Sequence, residues 1–150
     1  MRIAAIDIGS NSIHMVIADA GGPRGFEVVD REREVVQVGR GSFESGELGE
    51  EAIQRTADSL PRFVQLARRH QVDRILCTAT AAVREARNVG DFLKAARRAS
   101  GLTPLVIPAA EEGRLIYLGV RSALELNGKP SLIVDIGGGS MQLVLADRER

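Results

Sequence analysis

The stretch Ile6-Asp-Ile-Gly-Ser-Asn-Ser12 returns near the end of the chain as Val134-Asp-Ile-Gly-Gly-Gly-Ser140. In each copy an apolar run precedes an aspartate, a turn of small residues follows it, and a second apolar run comes next, which predicts a β-hairpin. A glycine turn between two strands needs no ligand, so one copy alone would be weak support for a function. The repetition, with the same aspartate and the same final serine, favours a pair of ligand-binding turns.

The two turns have the composition of a phosphate-binding site. Glycine lacks the Cβ atom that would keep a phosphate oxygen away from successive backbone N–H groups, and the serine hydroxyls add further hydrogen-bonding groups. Asp7 and Asp135 would repel a bare phosphate, so we expect them to hold a hard divalent cation or its waters. The predicted phosphate-binding residues of the turns are Gly9, Ser10, Asn11, Ser12, Gly137, Gly138, Gly139 and Ser140.

Composition and charge exclude two broad classes of function. The chain has 150 residues, of which 44% are hydrophobic, so it can bury a sizeable core. Its formal net charge is zero, and it therefore lacks the broad positive field that a general nucleic-acid or membrane-surface binder needs.

No apolar run is long enough to span a bilayer, and the first residues read as a strand without a signal-peptide core, so we expect a cytoplasmic protein. The single cysteine, Cys77, is interpreted as a small core residue.

The order of the predicted elements indicates an α/β domain with a mixed sheet. Three antiparallel strands open the fold, and helices then alternate with short strands, which is typical of a sheet with parallel additions. Pro61 is expected to kink or split the first long helix, and Asn88 is expected to cap the second, which Gly101 ends. Strands are predicted at residues 3–8, 13–18, 26–38, 74–78 and 105–107, helices at 50–70, 89–100 and 111–126, and a loop at 39–49.

The last helix and the second hairpin define the predicted domain organisation. The helix over 111–126 is expected to be a core helix, burying Ile116, Val120, Ala123 and Leu124. The chain then starts again at Ser131 with strands arranged like the first pair. We therefore predict a first domain over residues 1–126 and the opening hairpin of a second, truncated copy over residues 127–150.

Together these motifs resemble the N-terminal part of the exopolyphosphatase and guanosine pentaphosphate phosphohydrolase family. That family has the actin-like, ribonuclease H-like fold of the actin, heat-shock chaperone and sugar-kinase superfamily. The resemblance covers nearly the whole chain, and its blocks at Ala79–Asn88 and Glu111–Gly119 are the ones specific to these phosphatases. The matching segments are Ala5–Val16, Ala79–Asn88, Glu111–Gly119 and Val134–Ser140.

The resemblance implies an enzyme, a phosphoanhydride hydrolase of the exopolyphosphatase type. It would remove the terminal phosphate of inorganic polyphosphate, or the 5′ γ-phosphate of guanosine pentaphosphate, in a cleft between two domains with a divalent metal such as magnesium. The low aromatic content leaves no stacking platform for guanine and mildly favours polyphosphate. We expect the 150-residue chain by itself to bind phosphate weakly and to turn over slowly or not at all.

By position, the resemblance makes Glu112 the residue that activates the attacking water and Arg84 a contact to phosphate. From the residues alone, simpler interpretations exist. Glu111 and Glu112 fall in the first turn of a helix, where acidic side chains are favourable anyway, and Arg84 fits an ordinary solvated arginine. His14 is interpreted as solvated or packed and too distant from the first turn to act as a base.

The chain departs from the family pattern in two segments. The family usually continues Gly-Gly-Gly-Ser-Thr-Glu, whereas this chain has Ser140-Met-Gln142. Gln142 keeps an oxygen for a metal without the negative charge, so we expect weaker metal binding there. The segment Pro108-Ala-Ala110 stands where the family tends to show Ser-Gly.

Two alternative functions fit the repeated turns. An ATP-dependent sugar kinase or actin-like ATPase of the same superfamily would share the turns and the aspartates, but it does not account for the two phosphatase blocks. A non-catalytic module that binds phosphate or a partner would fit a chain that has only one wall of the cleft. In either case the apolar hairpin over 132–146 exposes an edge, so we expect a homodimer.

Overall fold

The structure, a computed structural model, describes residues 1–22, 25–124, 126 and 130–146. Its main body is a five-stranded sheet in the order β3-β2-β1-β4-β5, followed by a separate two-stranded sheet of β6 and β7. In chain order the elements are β1 (Arg2–Ile8), β2 (Ser12–Gly22), β3 (Gly25–Val35), α1 (Ser42–Ser45), α2 (Glu50–Arg69), β4 (Arg74–Ala79), α3 (Ala81–Glu85), α4 (Val89–Ser100), β5 (Leu105–Val106), α5 (Ala109–Ala123), β6 (Ser131–Ile136) and β7 (Met141–Ala146).

The sheet is mixed, as the sequence predicts. Strands β1, β2 and β3 are antiparallel neighbours, whereas β4 runs parallel to β1 and β5 runs parallel to β4. The predicted strands and long helices are all present, with bounds that shift by a few residues. Two short helices, α1 and α3, were not predicted, and α1 lies inside the predicted loop over 39–49.

One face of the sheet packs against helices α2 and α4 and forms the core. The alternation of apolar and polar residues in β1 and β2 points Ile6, Ile8, Ile13 and Met15 to this face. Helix α2 runs unbroken through Pro61, so the predicted split is wrong. The core also contains the buried helix residues Leu60, Phe63 and Phe92.

The other face keeps several polar side chains accessible. The register pairs Asp7 of β1 with His14 of β2, and His14 with Arg33 of β3. On the other side of β1, Asp7 is the partner of Thr78 in β4. Directly paired residues of neighbouring strands point to the same face, so these side chains form a row across the sheet.

Helix α5 is not the core helix that its sequence predicts. None of its described residues is buried, and Leu115 and Leu118 are both exposed. The helix ends at Ala123, and its main contact within the described residues is with β7 of the two-stranded hairpin. The periodicity was interpreted correctly as a helix, but periodicity alone does not tell whether a partner surface exists.

The prediction that the Asn88 side chain caps α4 is also wrong. Asn88 is the residue before the helix, but its side chain makes no capping hydrogen bond. Instead, its Oδ1 accepts from the Leu48 N–H at 2.9 Å and its Nδ2 donates to the Leu48 carbonyl at 2.8 Å. The amide thus joins the loop before α2 to the start of α4. Gly101 ends α4 with a left-handed conformation, as predicted.

Within the described residues, no helix is both long and apolar enough to cross a membrane.

Candidate active site

The two repeated turns have the same backbone closure. In the first, the N–H of Gly9 donates to the carbonyl of Ser12 at 3.0 Å, and in the second the N–H of Gly137 donates to the carbonyl of Ser140 at 2.9 Å. Each turn joins two antiparallel strands, β1 to β2 and β6 to β7. The repeated sequence therefore produces repeated local structure.

The two turns pack directly against each other. A Cβ atom added at Gly138 would overlap the Cβ of Asn11 and lie 3.2 Å from its backbone nitrogen. One added at Gly139 would overlap the ring of Phe43 and lie 3.2 Å from the Cβ of Ser10. The sequence pattern predicts that these glycines admit a phosphate, and the contacts show that they also allow the two turns to approach each other closely.

Several N–H groups of the turns remain available for a ligand. In the described part of the chain, the backbone N–H groups of Ser10, Asn11, Gly138 and Gly139 donate to no protein acceptor. The carbonyl of Asn11 is engaged, since it accepts from the N–H groups of both Val36 and Gln37. The unpaired donors suit an anion, because successive free N–H groups in a turn form an anion-binding concavity.

The turns open onto a cavity of about 380 Å³ that gathers most of the predicted site. It is lined by Asp7, Gly9, Ser10, Asn11, Ser12, His14, Arg33, Thr80, Glu112, Asp135, Ile136, Gly137, Gly138 and Ser140. Of the predicted site residues, only Arg84 and Gly139 are missing from this lining. The predicted metal ligands, the turn residues and the predicted catalytic carboxylate thus share one space.

Glu112 and Arg84 form an ion pair at the edge of the cavity. Arg84 Nη1 donates to Glu112 Oε2 at 2.7 Å and to the carbonyl of Ile107 at 3.2 Å. The side chains are 19% and 13% exposed, so the pair is largely shielded from water. Glu112 lies in the first turn of α5, where its N–H donates to the carbonyl of Pro108. Arg84 therefore fixes the carboxylate relative to the start of α5, and its predicted contact to phosphate stays a prediction.

The carboxylates in the cavity repel one another. Asp7 is accessible from the cavity yet surrounded by protein atoms, and this partial burial is the main reason that the pKa of its carboxyl is raised. A hydrogen bond from Thr78 Oγ1, at 3.3 Å, opposes the rise, and so does the nearby His14. The negative charges of Glu112 and Asp135 increase it. A cation beside Asp7 would relieve this repulsion.

The oxygen atoms that could bind a metal in this cavity suit a hydrated hard cation better than a cation coordinated entirely by the protein. Within the described residues, no set of three histidine, cysteine, aspartate or glutamate side chains is arranged to hold a metal. Asp7 and Asp135 line the cavity with carboxylate oxygens. Gln142, the register partner of Asp135, lines a neighbouring cavity instead, and its buried Oε1 has no hydrogen-bond partner. Mg²⁺ commonly keeps several waters and binds through one or two carboxylates plus substrate phosphates, which matches this set.

Four residues that line the cavity are not among those predicted from the sequence: Thr80, Arg33, His14 and Ile136. Thr80 lies between β4 and α3, Arg33 lies on β3, and His14 was judged too far from the turn. The hairpin register places His14 opposite Asp7, and it lines the cavity while remaining exposed, so the expectation that it does not act as a base stays a prediction. A usable signal existed for Arg33: the alternation Arg31-Glu-Arg-Glu34 in a strand puts both arginines on one face.

Cys77 behaves as predicted from its apolar surroundings. It is half-buried and packs against the core. Burial raises the pKa of its thiol to about 12, and the charge of Asp7 adds to the effect. The thiol stays protonated at neutral pH and is not a nucleophile, since reactivity requires the thiolate.

Comparison with known proteins gives a consistent match. The family model described as the Ppx/GppA phosphatase family matches residues 15–150. The chain is 38% identical to exopolyphosphatase 2 of Mycobacterium tuberculosis over 99% of its own length and 49% of that protein. It is 37% identical to a guanosine-5′-triphosphate,3′-diphosphate pyrophosphatase of Aliivibrio fischeri, over 96% of its own length and 29% of that protein. The chain thus spans half the length, or less, of these relatives.

Solved structures match as well. An exopolyphosphatase from Cytophaga hutchinsonii is similar with a TM-score of 0.93 and 31% identity, covering all of this chain (100%) and 48% of that one. The Aquifex aeolicus PPX-GPPA enzyme is similar with a TM-score of 0.85 and 33% identity, covering 100% of this chain and 50% of that one. These matches confirm the fold class that the resemblance implied.

Proposed function

The chain belongs to the Ppx/GppA phosphatase family, and we propose that it supplies one wall of an active site that hydrolyses a terminal phosphoanhydride bond. The proposed substrates are inorganic polyphosphate and guanosine pentaphosphate, the substrate classes that the names of its relatives indicate. The family match supports this function over the sugar-kinase or actin-like ATPase alternative.

The observation that carries the proposal is the pair of turns with free N–H groups beside a carboxylate. Ser10, Gly138 and Glu112 all line the same cavity. In the proposed reaction the turns bind the terminal phosphate, and Glu112 accepts a proton from the attacking water. The water oxygen forms a bond to phosphorus, the bridging P–O bond breaks, and the product chain leaves one phosphate shorter. Phosphoryl transfer depends mainly on such positioning and on charge stabilisation.

Arg84 is proposed as the group that orients Glu112. Its bond at 2.7 Å keeps the carboxylate at the edge of the cavity rather than free to rotate. A guanidinium has further N–H groups, so Arg84 can contact a bound phosphate as well once the substrate reaches it. The proposed site keeps all the residues predicted from the sequence, with Arg84 and Gly139 at its border.

Asp7 and Asp135 would hold a divalent cation, proposed to be magnesium. When bound, it would neutralise phosphate charge that Asp7 and Asp135 would otherwise repel. Gln142 is proposed as a neutral oxygen donor beside them, because its buried Oε1 lacks a partner. A neutral donor makes the site less negative than a glutamate would, so we expect weaker metal binding than in relatives with the glutamate.

The raised pKa of Asp7 predicts that the wild-type site is destabilised at neutral pH in metal-free buffer. A carboxyl whose pKa is higher in the folded than in the unfolded chain favours folding when protonated. That stability is fully present below the unfolded pKa and lost as the pH rises through the folded one. Asp7→Asn should therefore raise the Tm at pH 7 in a thermal melt, by less than about 4 °C because the carboxylate is partly screened by water.

The same melts test the metal proposal. The gain from Asp7→Asn should shrink toward pH 4, where the wild-type carboxyl takes up its proton. Added magnesium should raise the Tm of the wild type more than that of Asp7→Asn. The proposal fails if Asp7→Asn lowers the Tm at pH 7, or if magnesium stabilises both proteins equally.

We propose that residues 1–126 form the first domain and residues 127–150 the start of a second one, although residues 127–129 and 147–150 lie outside the described part. The second hairpin supports this, because one whole face of it is apolar and uncovered. Ile136 and Leu145 are 77% and 75% exposed. The face consists of the cross-strand pairs Leu132 with Leu145, Val134 with Leu143 and Ile136 with Met141.

In solution, this chain is predicted to pair through the apolar hairpin face with a second copy. Contiguous exposed apolar surface of this kind is uncommon in monomers and marks an interaction site. Light scattering should give the mass of a dimer of the 16.1 kDa chain, and Leu143→Lys should give the monomer, because a buried unpaired ammonium opposes association. A wild type that stays monomeric at high concentration would contradict the pairing.

The function itself is tested by phosphate release from long-chain polyphosphate and from guanosine pentaphosphate with magnesium. A longer family member serves as positive control for the assay. Release by this chain from one substrate and not the other would identify the natural class. Silence on both, with an active positive control, is the result expected of one wall of the cleft alone, and it would keep the non-catalytic phosphate-binding module as the competing interpretation. We further propose a cytoplasmic location, which the unpaired Cys77 supports.

A further inference from the structure

The cavity has a cationic side chain on the wall opposite the Arg84–Glu112 pair. Arg33 projects from β3 and lines the same space as the two turns. It lies next to His14, its register partner, which in turn is the partner of Asp7. Neighbouring strands are roughly 4.8 Å apart, so Arg33 and Asp7 lie about 10 Å apart across the sheet.

The hydrogen bonds of Arg33 give its guanidinium only one acceptor atom for two of its donors. Its Nε and Nη2 donate to the hydroxyl oxygen of Ser12 at 3.3 and 3.2 Å. Asn11 Nδ2 donates to the same oxygen at 3.3 Å. A hydroxyl oxygen has two lone pairs, so these donors compete for it at long distances. A pair of phosphate oxygens would instead accept both guanidinium donors in the fork geometry that suits them.

Arg33 is also without a carboxylate partner. In the part of the chain that the structure describes, none of the ion pairs includes Arg33. An exposed, unpaired arginine is ordinary by itself. This one lines a cavity that also contains Asp7, Asp135 and Glu112, so it is a cation that an extended anion held near the aspartates could reach.

We propose that Arg33 binds the phosphates that follow the terminal one, and so makes the site specific for condensed phosphate chains over single phosphate groups. The proposal rests on the proposed function, since the terminal phosphate is assigned to the turns. The separation of about 10 Å from Asp7, two strand spacings, exceeds one phosphate group but is spanned by a short chain. The shared chemistry is a linear phosphoanhydride chain, inorganic or attached to a nucleoside.

The test is calorimetric binding of three probes to this chain with magnesium: orthophosphate, tripolyphosphate and GTP. Arg33→Gln should weaken tripolyphosphate binding about tenfold, because a charge-assisted hydrogen-bond pair is lost. Binding of orthophosphate should fall less than that of tripolyphosphate, because the turn N–H groups hold a single phosphate and Arg33 contacts the first turn only through the Ser12 hydroxyl. An equal loss for GTP would mark a nucleoside triphosphate as a second source of the chain, whereas a loss confined to tripolyphosphate would mark an inorganic polymer.

Two further variants make the result specific. Arg31→Gln removes the same charge from the same strand face, two residues away and outside the cavity lining, and should leave all three affinities unchanged. Arg33→Lys keeps the charge without the fork and should give an intermediate loss. If Arg33→Gln proves unstable in a thermal melt, Arg33→Lys still tests the proposal.

The outcomes separate this inference from the function on which it rests. Unchanged tripolyphosphate binding by Arg33→Gln overturns the role of Arg33, as does an equal loss for orthophosphate and tripolyphosphate. An equal loss in Arg31→Gln would reduce the effect to net charge and overturn it too. If the wild type binds none of the three probes, the proposed phosphate-binding function itself is refuted.

Discussion

In a protein that contains this chain and completes the cleft, Glu112→Gln should reduce phosphate release from the preferred substrate by about 10²–10⁴-fold, the range that a general base contributes. Glutamine keeps the size of the side chain and an oxygen that Arg84 can still contact, but it cannot take a proton from water. Binding of tripolyphosphate should change little, because the turns and not Glu112 are assigned to the anion. The measurement is steady-state phosphate release, so that a fall in kcat is separated from a change in KM.

The chain offers a matched control one residue away. Glu111 lies in the same first turn of α5 but pairs with Arg114, at 2.7 and 2.8 Å, on the exposed side of the helix. Glu111→Gln should therefore leave kcat unchanged while it removes the same charge from the same helix end. Equal rates for Glu112→Gln and the wild type, or equal losses in both variants, would show that the effect of position 112 is electrostatic or absent.

The sequence predicted the fold and most of the residues that line the cavity, because both depend on local patterns. The hairpins follow from alternation around glycine turns, and Glu112 was located through a block of sequence specific to the family. The packing of these elements against one another was harder to predict from the sequence. The exposure of α5 depends on a partner surface, and the place of His14 and Arg33 in the cavity depends on the register of three strands.

The role of Arg84 illustrates the same limit. As a residue type in a motif, it predicted a contact to phosphate, which a guanidinium makes readily. Its partners, Glu112 and the carbonyl of Ile107, come from the packing of α3 against the start of α5, which no spacing in the sequence reveals. The predicted catalytic residue and the predicted binding residue thus turn out to be one ion pair.

Gly138→Ala should damage the site more than a methyl group added at any other position, because it acts on the contact between the two turns. The new Cβ would overlap the Cβ of Asn11 and press on the Asn11 backbone, which cannot move aside like the tip of a long side chain. Overpacking of this kind costs about 1–3 kcal/mol, which corresponds to a fall in Tm of roughly 2–10 °C for a chain of this length. Separation of the turns should also weaken orthophosphate binding, since the free N–H groups of Ser10 and Gly138 would no longer converge.

A second glycine provides the control for this substitution. Gly119 lies within α5, and a Cβ added there meets no atom within 4 Å. Gly119→Ala should raise the Tm, because alanine stabilises a helix interior by about 0.5–1 kcal/mol relative to glycine. Orthophosphate binding should be unaffected. If Gly138→Ala binds orthophosphate as tightly as Gly119→Ala does, the turns do not act together on one anion, and the repeated motif has a structural role alone.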